Sequence, residues 1–576
     1  MDAATLGPQQ RIRALERMAG EEFDVAIIGG GVTGAGAALD AASRGLSVAL
    51  IEQRDWAAGT SSRSSKLIHG GLRYVEQLEL GLVREALSEQ TLMLERLCPH
   101  LVRPVSFLIP LKHRLWERLY IGAGILLYDT LAGRRALPRH RHLTRRSALK
   151  LFPGLRRKAL VGAIVYYDAQ MDDARHTLAL VRTAAQQGAC VASSAEAIGL
   201  LETGSSVTGV EVCDLETGHE FRLRARRVIN ATGVWTDEVQ AMCGRGRIKV
   251  RASKGIHLVV PRDRIAGDSG LVLRTEKSVL FVIPWKHHWI IGTTDTDWNL
   301  DLAHPAASHS DVDYLLETLN TVLAQPLSHR DIEGIYAGLR PLLSGESDAT
   351  SKLSREHAVS QSVAGLITVA GGKYTTYRIM AQDAIDMASR NLDKRVPASC
   401  TDELPLVGAD GYEGYWNRRE QIASESGLHV KRIEHLLSRH GTCIDDLLEL
   451  IKEHPQLADP IPGTKTYLCV EARYAALCEG ALHLDDVLTR RTRISIETFD
   501  RGLGAAERVA QEMGSVLGWD DETREREIDH YRKRVEAERE SQQQPDDLTA
   551  DAARLGAPDL RTGRRPTQTP ILHLAE

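Results

Sequence analysis

The sequence predicts an α/β fold with a Rossmann-like core, an interleaved mixed-sheet domain and an all-α C-terminal domain. Three observations lead to this fold class. A strand, glycine turn, helix and strand pattern spans residues 23–52. Strand and glycine-turn patterns return at residues 228–235 and 366–378, so the core combines distant segments. After about Asn391, apolar residues recur at three- and four-residue spacing, as in helices.

The first pattern, at residues 23–52, has the features of a dinucleotide-binding unit. Residues 25–28 form a short apolar run of the kind that fills a buried parallel strand. Three glycines follow in G-x-G-x-x-G spacing: Gly29, Gly31 and Gly34. The first permits a tight turn, the second leaves the backbone open to a pyrophosphate, and the third lets the helix pack closely on the sheet. Glu52 ends the second strand, where a carboxylate can accept ribose hydroxyls, which favours a cofactor without a 2′-phosphate.

Composition and charge exclude several functional classes. The formal net charge of the 576 residues is −5, and the totals do not indicate nucleic-acid binding. Eight cysteines are scattered without a C-x-x-C pair, which is typical of reduced thiols in the cytoplasm, and we predict no metal site. Residues 1–22 are polar and are interpreted as an N-terminal tail. Because no segment offers about 18 uninterrupted apolar residues, we expect a chain that is neither exported nor membrane-spanning.

The loop at residues 59–74 is crowded with hydroxyls, glycines and cations. Such a loop can wrap a polar cofactor and offer a cation to a bound anion. The run AAGTSSRSSKLIHGGLRYVEQLELGLVREAL closely resembles the flavin-dependent, quinone-linked glycerol-3-phosphate dehydrogenases of aerobic metabolism. The resemblance extends to about residue 540 and implies an FAD-binding core. The Ala-Thr-Gly turn and the last glycine turn match flavoproteins, so FAD is favoured over NAD as the resident cofactor.

The residues expected to contact FAD come from five segments of the core. They are Gly29, Gly31, Gly34 and Glu52 in the first unit, Thr60, Ser61, Ser62, Ser65, Lys66, His69 and Gly70 in the loop, Ala231 and Gly233 in the Ala-Thr-Gly turn, Thr294 and Asp295 after Gly292, and Gly371, Gly372 and Thr375 in the last glycine turn. Residues 281–295 alternate and are interpreted as a hairpin that turns at Gly292. In the resembling family the last helix N-terminus points at the O2 side of the flavin ring, where negative charge builds up on reduction.

The resemblance also places a histidine, here His257, beside the substrate carbon that is oxidised. A lone histidine on a strand is more often a core residue, and the family match favours the catalytic interpretation. The implied reaction converts sn-glycerol 3-phosphate to dihydroxyacetone phosphate, with a hydride passing to the flavin while a base removes the hydroxyl proton. His257 is the better base because its unperturbed pKa is near neutral, and Arg340 stabilises the developing alkoxide.

Four residues are expected to bind the phosphorylated substrate: Arg73, Tyr74, Arg355 and Lys373. Together with Arg340, the cations near the expected site are too many for a neutral alcohol and suit a phosphate dianion. Each arginine taken alone is more often a surface charge. Their positions beside glycine turns and strand ends favour a binding site.

Between residues 112 and 158 the chain holds thirteen Lys or Arg against only Glu117 and Asp129. Residues 119–131 within it are apolar but too few to span a bilayer. Such a stretch can lie in the membrane interface while its flanking cations meet anionic lipid, at roughly 1 kcal/mol each. The alternative is a buried helix within a solvated basic surface. A quinone-linked enzyme must reach an acceptor dissolved in lipid, so we favour docking at the inner face of the cell membrane.

We divide the chain into an N-terminal tail (1–22), an FAD-binding core with an interleaved substrate domain (23–390), a helical C-terminal domain (391–540) and a tail (541–576). The last segment is low in bulky apolar residues, so we expect it to be disordered. The sequence leaves a homodimer open. Two other functions also stay open: a dioxygen-using amino-acid or sarcosine-type flavin oxidase, and a non-catalytic FAD-binding membrane scaffold. An oxidase usually needs one arginine for a carboxylate, so the surplus cations argue against it.

Overall fold

A computed structural model of the chain describes residues 4–76, 78–113, 115–131, 137–244, 246, 248–275, 279–344, 357–390 and 392–561. Within these residues the strands form two sheets, one of eight strands and one of ten. After Gly371, at the end of the last strand, the described chain is helical. This arrangement matches the predicted α/β core, the mixed-sheet domain and the all-α C-terminal domain.

The first sheet is largely parallel and contains the dinucleotide-type unit. Its strands are β1 (Glu22–Ile28), β2 (Val48–Glu52), β7 (Cys190–Ser193), β8 (Ala195–Thr203), β9 (Ser206–Asp214), β10 (Glu220–Asn230), β17 (His357–Val363) and β18 (Leu366–Gly371). Parallel pairing joins β7, β2, β1, β10 and β18 in that order. Ile28 lies opposite both Ile51 and Asn230, so the carboxyl ends of β1, β2 and β10 meet at one edge. Ligands of such sheets bind at that edge.

The packing of helix α2 (Val32–Ser43) against β1 depends on two glycines. A Cβ on Gly34 would lie 1.9 Å from the carbonyl oxygen of Gly29. Gly29 itself has a φ of +110°, and a Cβ there would lie 2.7 Å from the carbonyl oxygen of Ala231. Both positions therefore require glycine, because any side chain would push the helix or β10 away from the turn.

The second sheet is mixed and is centred on a long strand. Its strands are β3 (Leu67–Ile68), β4 (Arg103–Leu111), β5 (Arg141–Thr144), β6 (Gly162–Gln170), β11 (Val250–Pro261), β12 (Gly270–Arg274), β13 (Val279–Trp285), β14 (His288–Gly292), β15 (Thr296–Trp298) and β16 (Gly334–Leu343). The predicted hairpin is present, but its turn is at Lys286 and His287, so the prediction of a turn at Gly292 is wrong. Lys286 adopts a φ of +49°, which the sequence does not reveal because glycine is the usual residue there. Gly292 instead ends β14, directly opposite His257.

Helices cover the sheets and form the C-terminal domain. Those of the core, besides α2, are α1 (Pro8–Gly20), α3 (Leu72–Glu76), α4 (Leu80–Leu92), α5 (Trp116–Leu131), α6 (Arg145–Leu151), α7 (Asp173–Gln186), α8 (Thr236–Ala241), α9 (His309–Asn320) and α10 (Tyr377–Ser389). The C-terminal helices are α11 (Tyr412–Asn417), α12 (Arg419–Ser426), α13 (Val430–His440), α14 (Ile444–Glu453), α15 (Cys469–Cys478), α16 (Leu484–Asp486), α17 (Ile494–Glu497), α18 (Leu503–Leu517), α19 (Asp521–Ser541) and α20 (Asp547–Leu555). The C-terminal domain has its own apolar core, which includes Leu436, Tyr474 and Val509.

Residues expected to form an N-terminal tail are folded. Helix α1 occupies most of this segment and buries Ala14 and Met18 against the first sheet. The Arg11 guanidinium pairs with the Asp214 carboxylate at 2.5 Å. Arg11 also donates to the carbonyl of Ser193 at 2.9 Å. The prediction of a tail is wrong because the contacts that hold this helix are made with residues distant in sequence, and such contacts leave no periodic signal.

The predicted disordered tail is also folded up to Arg561. Helix α20 lies in this segment, and its first residue, Asp547, forms an ion pair with Lys254 of β11. The Arg561 guanidinium lies 2.9 Å from the Asp486 carboxylate, and both side chains are buried. The prediction is wrong for residues 541–561, because buried ion pairs replace the bulky apolar contacts that the sequence lacks. Residues 562–576 lie outside the described residues.

Helix α5 covers the apolar part of the basic segment at residues 112–158. Ile125 and Tyr128 face the interior. Its opposite face and the residue before it leave large apolar side chains exposed: Leu115, Trp116, Leu119, Tyr120 and Leu126. Among the helices of the described ranges, none has the length and apolar character that crossing a bilayer requires. An exposed apolar stripe fits the interfacial interpretation better than the buried-helix alternative.

Candidate active site

A cavity of about 860 Å³ lies where the carboxyl edge of the first sheet meets the second sheet. Gly31 and Glu52 line it from the first sheet, His257 and Arg340 from the second, and Tyr74 from α3. Its volume is in the range of sites that hold cofactors and small ligands. The cavity therefore brings the glycine turns and the predicted catalytic pair into one space.

The dinucleotide end of the cavity is formed by β1, α2 and β2. The Glu52 carboxylate accepts hydrogen bonds from two backbone N–H groups of the neighbouring turns, at 2.7 and 2.8 Å. Burial raises the pKa of this carboxyl above its usual value. Ser61 Oγ accepts a hydrogen bond from the N–H of Val32 at 2.9 Å, and a Cβ on Gly31 would lie 3.2 Å from this oxygen. The bare backbone of Gly31 is thus a cradle that fits a pyrophosphate and that a side chain would fill.

His257 lines the cavity from the second sheet and is held by two contacts. Its Nε2 lies 2.8 Å from Ser65 Oγ. Its ring stacks on Tyr336, with a centroid distance of 4.7 Å and an interplanar angle of 10°. Burial, and then the charges of Arg340 and Lys66, hold the pKa of this imidazole well below its usual value. The ring is therefore neutral near pH 7 and able to accept a proton.

Arg340 lies on β16 and points across β11 toward the cavity. Its Nη1 donates to Ser253 Oγ at 3.3 Å and lies 3.4 Å from an Asp295 carboxylate oxygen, while Nη2 donates to Thr293 Oγ1 at 3.1 Å. A Cβ on Gly255 would lie 2.6 Å from Nη2, so glycine at this position gives the guanidinium room. These contacts fix a permanent positive charge at the wall that also carries His257.

The structure locates the side chains of two of the four residues that were predicted to bind the phosphorylated substrate. Lys373 and Tyr74 both line the cavity, with Lys373 Nζ 3.7 Å from the centroid of the Tyr74 ring. For Arg73 the structure describes the backbone within α3, and Arg355 lies outside the described residues. An additional cation, Arg274, lines the cavity and pairs with Glu76.

Most predicted site residues line the cavity. They are Gly29, Gly31, Glu52, Thr60, Ser61, Ser65, His69, Tyr74, Ala231, Gly233, His257, Asp295, Arg340, Gly371, Gly372, Lys373 and Thr375. They come from both sheets and from α3, and are separated by up to about 350 residues of chain. The fold thus gathers the segments that the sequence indicated.

Five predicted cofactor residues lie behind the cavity wall: Gly34, Ser62, Lys66, Gly70 and Thr294. Lys66 is fully buried, and its Nζ pairs with the Asp173 carboxylate at 2.8 Å. The N–H of Gly70 donates to the Tyr128 hydroxyl at 2.8 Å. For these five residues the prediction of cofactor contact is not supported by the cavity lining. For the three in the loop, the sequence does not show which residues turn inward.

Besides Arg274, sequence reasoning missed the cavity-lining cations Arg54 and Arg63. Each donates an Nη1 hydrogen bond to the carbonyl of Ala303, at 3.2 Å. Burial, and then the neighbouring arginines, lower the pKa of Arg63 to about 9. Such a cluster is stabilised by an anion, so these two residues suit the pyrophosphate of a bound dinucleotide. The sequence contains a signal for each residue: Arg63 lies within the hydroxyl-rich loop, and Arg54 follows Glu52 by two residues.

One group of possible metal ligands lies outside the cavity. His309, Asp313 and His329 each place a ligand atom within 4.8 Å of the others. The two imidazole rings are stacked with centroids 4.5 Å apart and planes only 9° from parallel. Because imidazole lone pairs lie in the ring planes, two parallel stacked rings do not converge on one ion. The group is better described as a carboxylate that accepts a hydrogen bond from His329 Nε2 at 2.7 Å and lies 3.4 Å from His309 Nε2.

The fold and the cavity define a class of protein. Glycine turns at the carboxyl edge of a Rossmann-like sheet, facing a buried histidine and an arginine, form the site of a dinucleotide-dependent oxidoreductase. The family model for FAD dependent oxidoreductases matches residues 24–378. The model for the C-terminal domain of alpha-glycerophosphate oxidase matches residues 399–524. The prediction of FAD as the cofactor is thereby confirmed for the family.

Individual relatives narrow the class. The glycerol-3-phosphate dehydrogenase of Mycobacterium leprae (strain TN) is 59% identical over 561 residues, which cover 97% of this chain and 96% of that protein. The mitochondrial glycerol-3-phosphate dehydrogenase of Homo sapiens is 36% identical over 549 residues, covering 91% and 75%. The structure of the Bacillus halodurans glycerol-3-phosphate dehydrogenase complexed with FAD superimposes with a TM-score of 0.76 at 26% identity, covering 92% and 98%. The chain belongs to the family of FAD-dependent glycerol-3-phosphate dehydrogenases, as the sequence predicted.

Proposed function

We propose that this protein oxidises sn-glycerol 3-phosphate to dihydroxyacetone phosphate and passes the electrons to a membrane quinone. The observation that carries the proposal is a neutral, buried His257 beside Arg340 in one cavity with Lys373. This set supplies a base, a charge for an alkoxide and a cation for a phosphate.

The residues of the cavity supply the proton chemistry. FAD, when bound, provides the acceptor for the hydride that leaves C2 of the substrate. His257 Nδ1 is buried, so we assign acceptance of the C2 hydroxyl proton to Nε2, the nitrogen that also lies 2.8 Å from Ser65 Oγ. The permanently charged Arg340 stabilises the alkoxide that develops as this proton leaves.

The phosphate of the substrate is bound at the end of the cavity that carries Lys373 and Tyr74. Lys373 supplies a point charge, and the ring of Tyr74 fixes its position from 3.7 Å. We further propose that Arg73 and Arg355 bind the same phosphate, because several cations match a dianion better than a single carboxylate. This excess of positive charge favours the dehydrogenase over an amino-acid oxidase.

The acceptor proposal is supported by apolar walls in the same cavity. Leu72, Ile109, Ile121, Val272 and Phe281 all line it. Ile121 belongs to α5, whose other face exposes Trp116 and Leu119. One helix therefore borders both the cavity and a surface that suits lipid. We place the protein peripherally at the inner face of the cell membrane, where a lipid-dissolved quinone reaches the flavin.

Anaerobic addition of glycerol 3-phosphate to the FAD-loaded protein tests the function. We expect the flavin to bleach, to reoxidise slowly in air and to reoxidise rapidly with a soluble quinone analogue. Rapid reoxidation by air would indicate an oxidase. A flavin that stays yellow with glycerol 3-phosphate would contradict the proposed substrate and leave the scaffold alternative.

The membrane proposal predicts salt-dependent binding to anionic vesicles. Three exposed arginines of the basic segment, Arg139, Arg141 and Arg146, are suitable for reversal to glutamate. The triple variant is expected to sediment much less with anionic vesicles at low salt, because phospholipid charge contributes about 1 kcal/mol per basic residue. Turnover with membrane quinone should fall, while flavin reduction by glycerol 3-phosphate stays unchanged. Vesicle sedimentation beside a soluble-dye assay measures both effects.

A matched control reverses three exposed cations elsewhere, Arg13, Lys249 and Lys431, to glutamate. The change in net charge is the same, so any loss of binding in this control reports total charge and not the basic segment. Equal sedimentation of the parent and the Arg139, Arg141 and Arg146 variant on anionic and neutral vesicles would contradict membrane docking through this segment.

A further inference from the structure

Arg493 connects the helical C-terminal domain with the core. It lies just before α17, and its side chain is buried. Its Nη2 donates to Asp172 Oδ1 at 2.6 Å and to Asp173 Oδ1 at 2.5 Å, at the start of α7. Its Nη1 donates to the carbonyl of Ser62 at 3.2 Å. A side chain of the C-terminal domain thus reaches the loop that forms the cavity wall.

Asp173 links Arg493 to the rest of that loop. Its Oδ2 accepts the N–H of Ser64 at 2.9 Å and the Ser64 hydroxyl at 2.7 Å, and its Oδ1 accepts Lys66 Nζ at 2.8 Å. Asp173 and Lys66 have no exposed side-chain surface. Buried charges of this kind are tolerated only when each has a partner. Removal of Arg493 therefore takes one cationic partner away from the buried Asp172 and Asp173 carboxylates.

The loop in turn holds the His257 imidazole through two contacts, one at a ring nitrogen and one at the face of the ring. Ser65 Oγ lies 2.8 Å from His257 Nε2. The Tyr336 hydroxyl donates to the carbonyl of Ser64 at 3.0 Å, and the Tyr336 ring stacks on the imidazole. Lys66 Nζ lies 5.0 Å from the centroid of the Tyr336 ring. The orientation of the imidazole therefore depends on residues that Asp173 and Arg493 fix from behind.

We propose that Arg493 is a positioning residue, which acts through Asp173 and residues 62–66 to hold the His257 imidazole in the orientation needed for proton transfer. This inference rests on the proposed function, in which His257 is the base. It gives the helical C-terminal domain a part in the chemistry, since the domain supports one wall of the site although Arg493 itself does not line the cavity.

The proposal predicts a change in the pH profile that a purely structural role would not produce. Arg340 from β16 and Lys66 from the loop are the charged groups that face His257, and Asp173 and Arg493 lie behind Lys66. Burial is the main reason why the imidazole stays neutral. If the loop relaxes and water reaches the ring, its pKa rises toward the unperturbed value of about 6.5. Flavin reduction then slows as the pH falls through this value.

The test compares Arg493→Gln and Arg493→Lys in the full-length, FAD-loaded protein. Anaerobic flavin reduction by glycerol 3-phosphate is followed by stopped-flow absorbance across the pH range. We expect Arg493→Gln to be about 10- to 100-fold slower, as for a misplaced catalytic group, with a new acid limb. Arg493→Lys should be intermediate, because it keeps the charge but not the forked hydrogen bonds. The control, Arg473→Gln, breaks a 2.7 Å pair with Glu512 in the same domain and should leave rate and profile unchanged.

A double-mutant cycle of Arg493→Lys with Ser65→Ala separates positioning from general destabilisation. Because the cycle uses the milder Arg493→Lys variant, it can be carried out even if Arg493→Gln does not fold. The Arg493 and Ser65 side chains form no hydrogen bond with each other, so coupling must pass through the loop. We expect the double variant to be less impaired than the product of the single losses. Multiplicative losses, or an unchanged pH profile, would overturn the proposal.

If glycerol 3-phosphate does not reduce the flavin of the parent protein, the proposed function fails. His257 is then titrated by NMR of labelled histidine, assigned against His257→Gln, and an unchanged titration in Arg493→Lys overturns the positioning role.

Discussion

His257→Ala is expected to slow anaerobic flavin reduction by glycerol 3-phosphate by about 10²- to 10⁴-fold, the usual loss when a general base is removed. FAD content should not change, because His257 lies on β11 of the second sheet and not in the glycine turn that we expect to hold the pyrophosphate. The pKa of His257 is held well below its usual value by burial and then by Arg340 and Lys66. The base form therefore persists as the pH falls, and the parent rate should stay flat between about pH 8 and pH 6.

A second histidine of the same sheet provides the control. His288 lies on β14 and pairs with the Glu333 carboxylate at 3.0 Å, away from the cavity lining. His288→Ala should reduce its flavin at the parent rate. Stopped-flow traces at several pH values measure both variants. If His257→Ala also reduces flavin at the parent rate, the histidine is structural and the base lies elsewhere.

Gly31→Val is expected to yield a colourless protein. Even the Cβ of valine would lie 3.2 Å from Ser61 Oγ, and its branches would extend into the cradle for the pyrophosphate. The same oxygen caps the N–H of Val32, so the first turn of α2 would also be disturbed. Absorbance near the flavin bands, normalised to protein, measures the loss.

The matched control is Gly414→Val, at an exposed glycine of α11 with no atom within 4 Å of a built Cβ. Glycine in a helix is replaced there without a clash, so flavin content should stay at the parent level. Circular dichroism of both variants shows whether Gly31→Val is folded. A yellow Gly31→Val protein with full flavin content would show that this turn does not hold the cofactor.

Features that follow from local backbone geometry were predictable from the sequence. The strand, glycine turn and helix at residues 23–52 require Gly29 and Gly34 by close packing, and the structure places both as expected. His257 and Arg340 also lie together, although 83 residues separate them, because they sit on β11 and β16, which pair side by side. Periodicity alone does not show that these two residues share a site; the family resemblance predicted it.

Features that depend on distant ion pairs were not predictable. Asp547 and Lys254 are 293 residues apart, and Arg561 and Asp486 are 75 apart, yet these pairs hold the C-terminal segment in place. Charged residues are usually solvated, so their sequence gives no sign of burial. The same reason explains Lys66, which the loop motif presented as a cofactor residue and which instead pairs with Asp173.

The order of strands in the first sheet has a consequence for synthesis. Strand β1 pairs with β10, and β10 pairs with β18, whose first residue is Leu366. At 5 to 20 residues per second, roughly 20 to 70 s pass between the emergence of β1 and that of β18 from the ribosome. The partner of Asp173, Arg493, appears later still. During this interval β10 presents an unpaired parallel edge, so we expect the nascent chain to be prone to aggregation until β18 is available to pair with it.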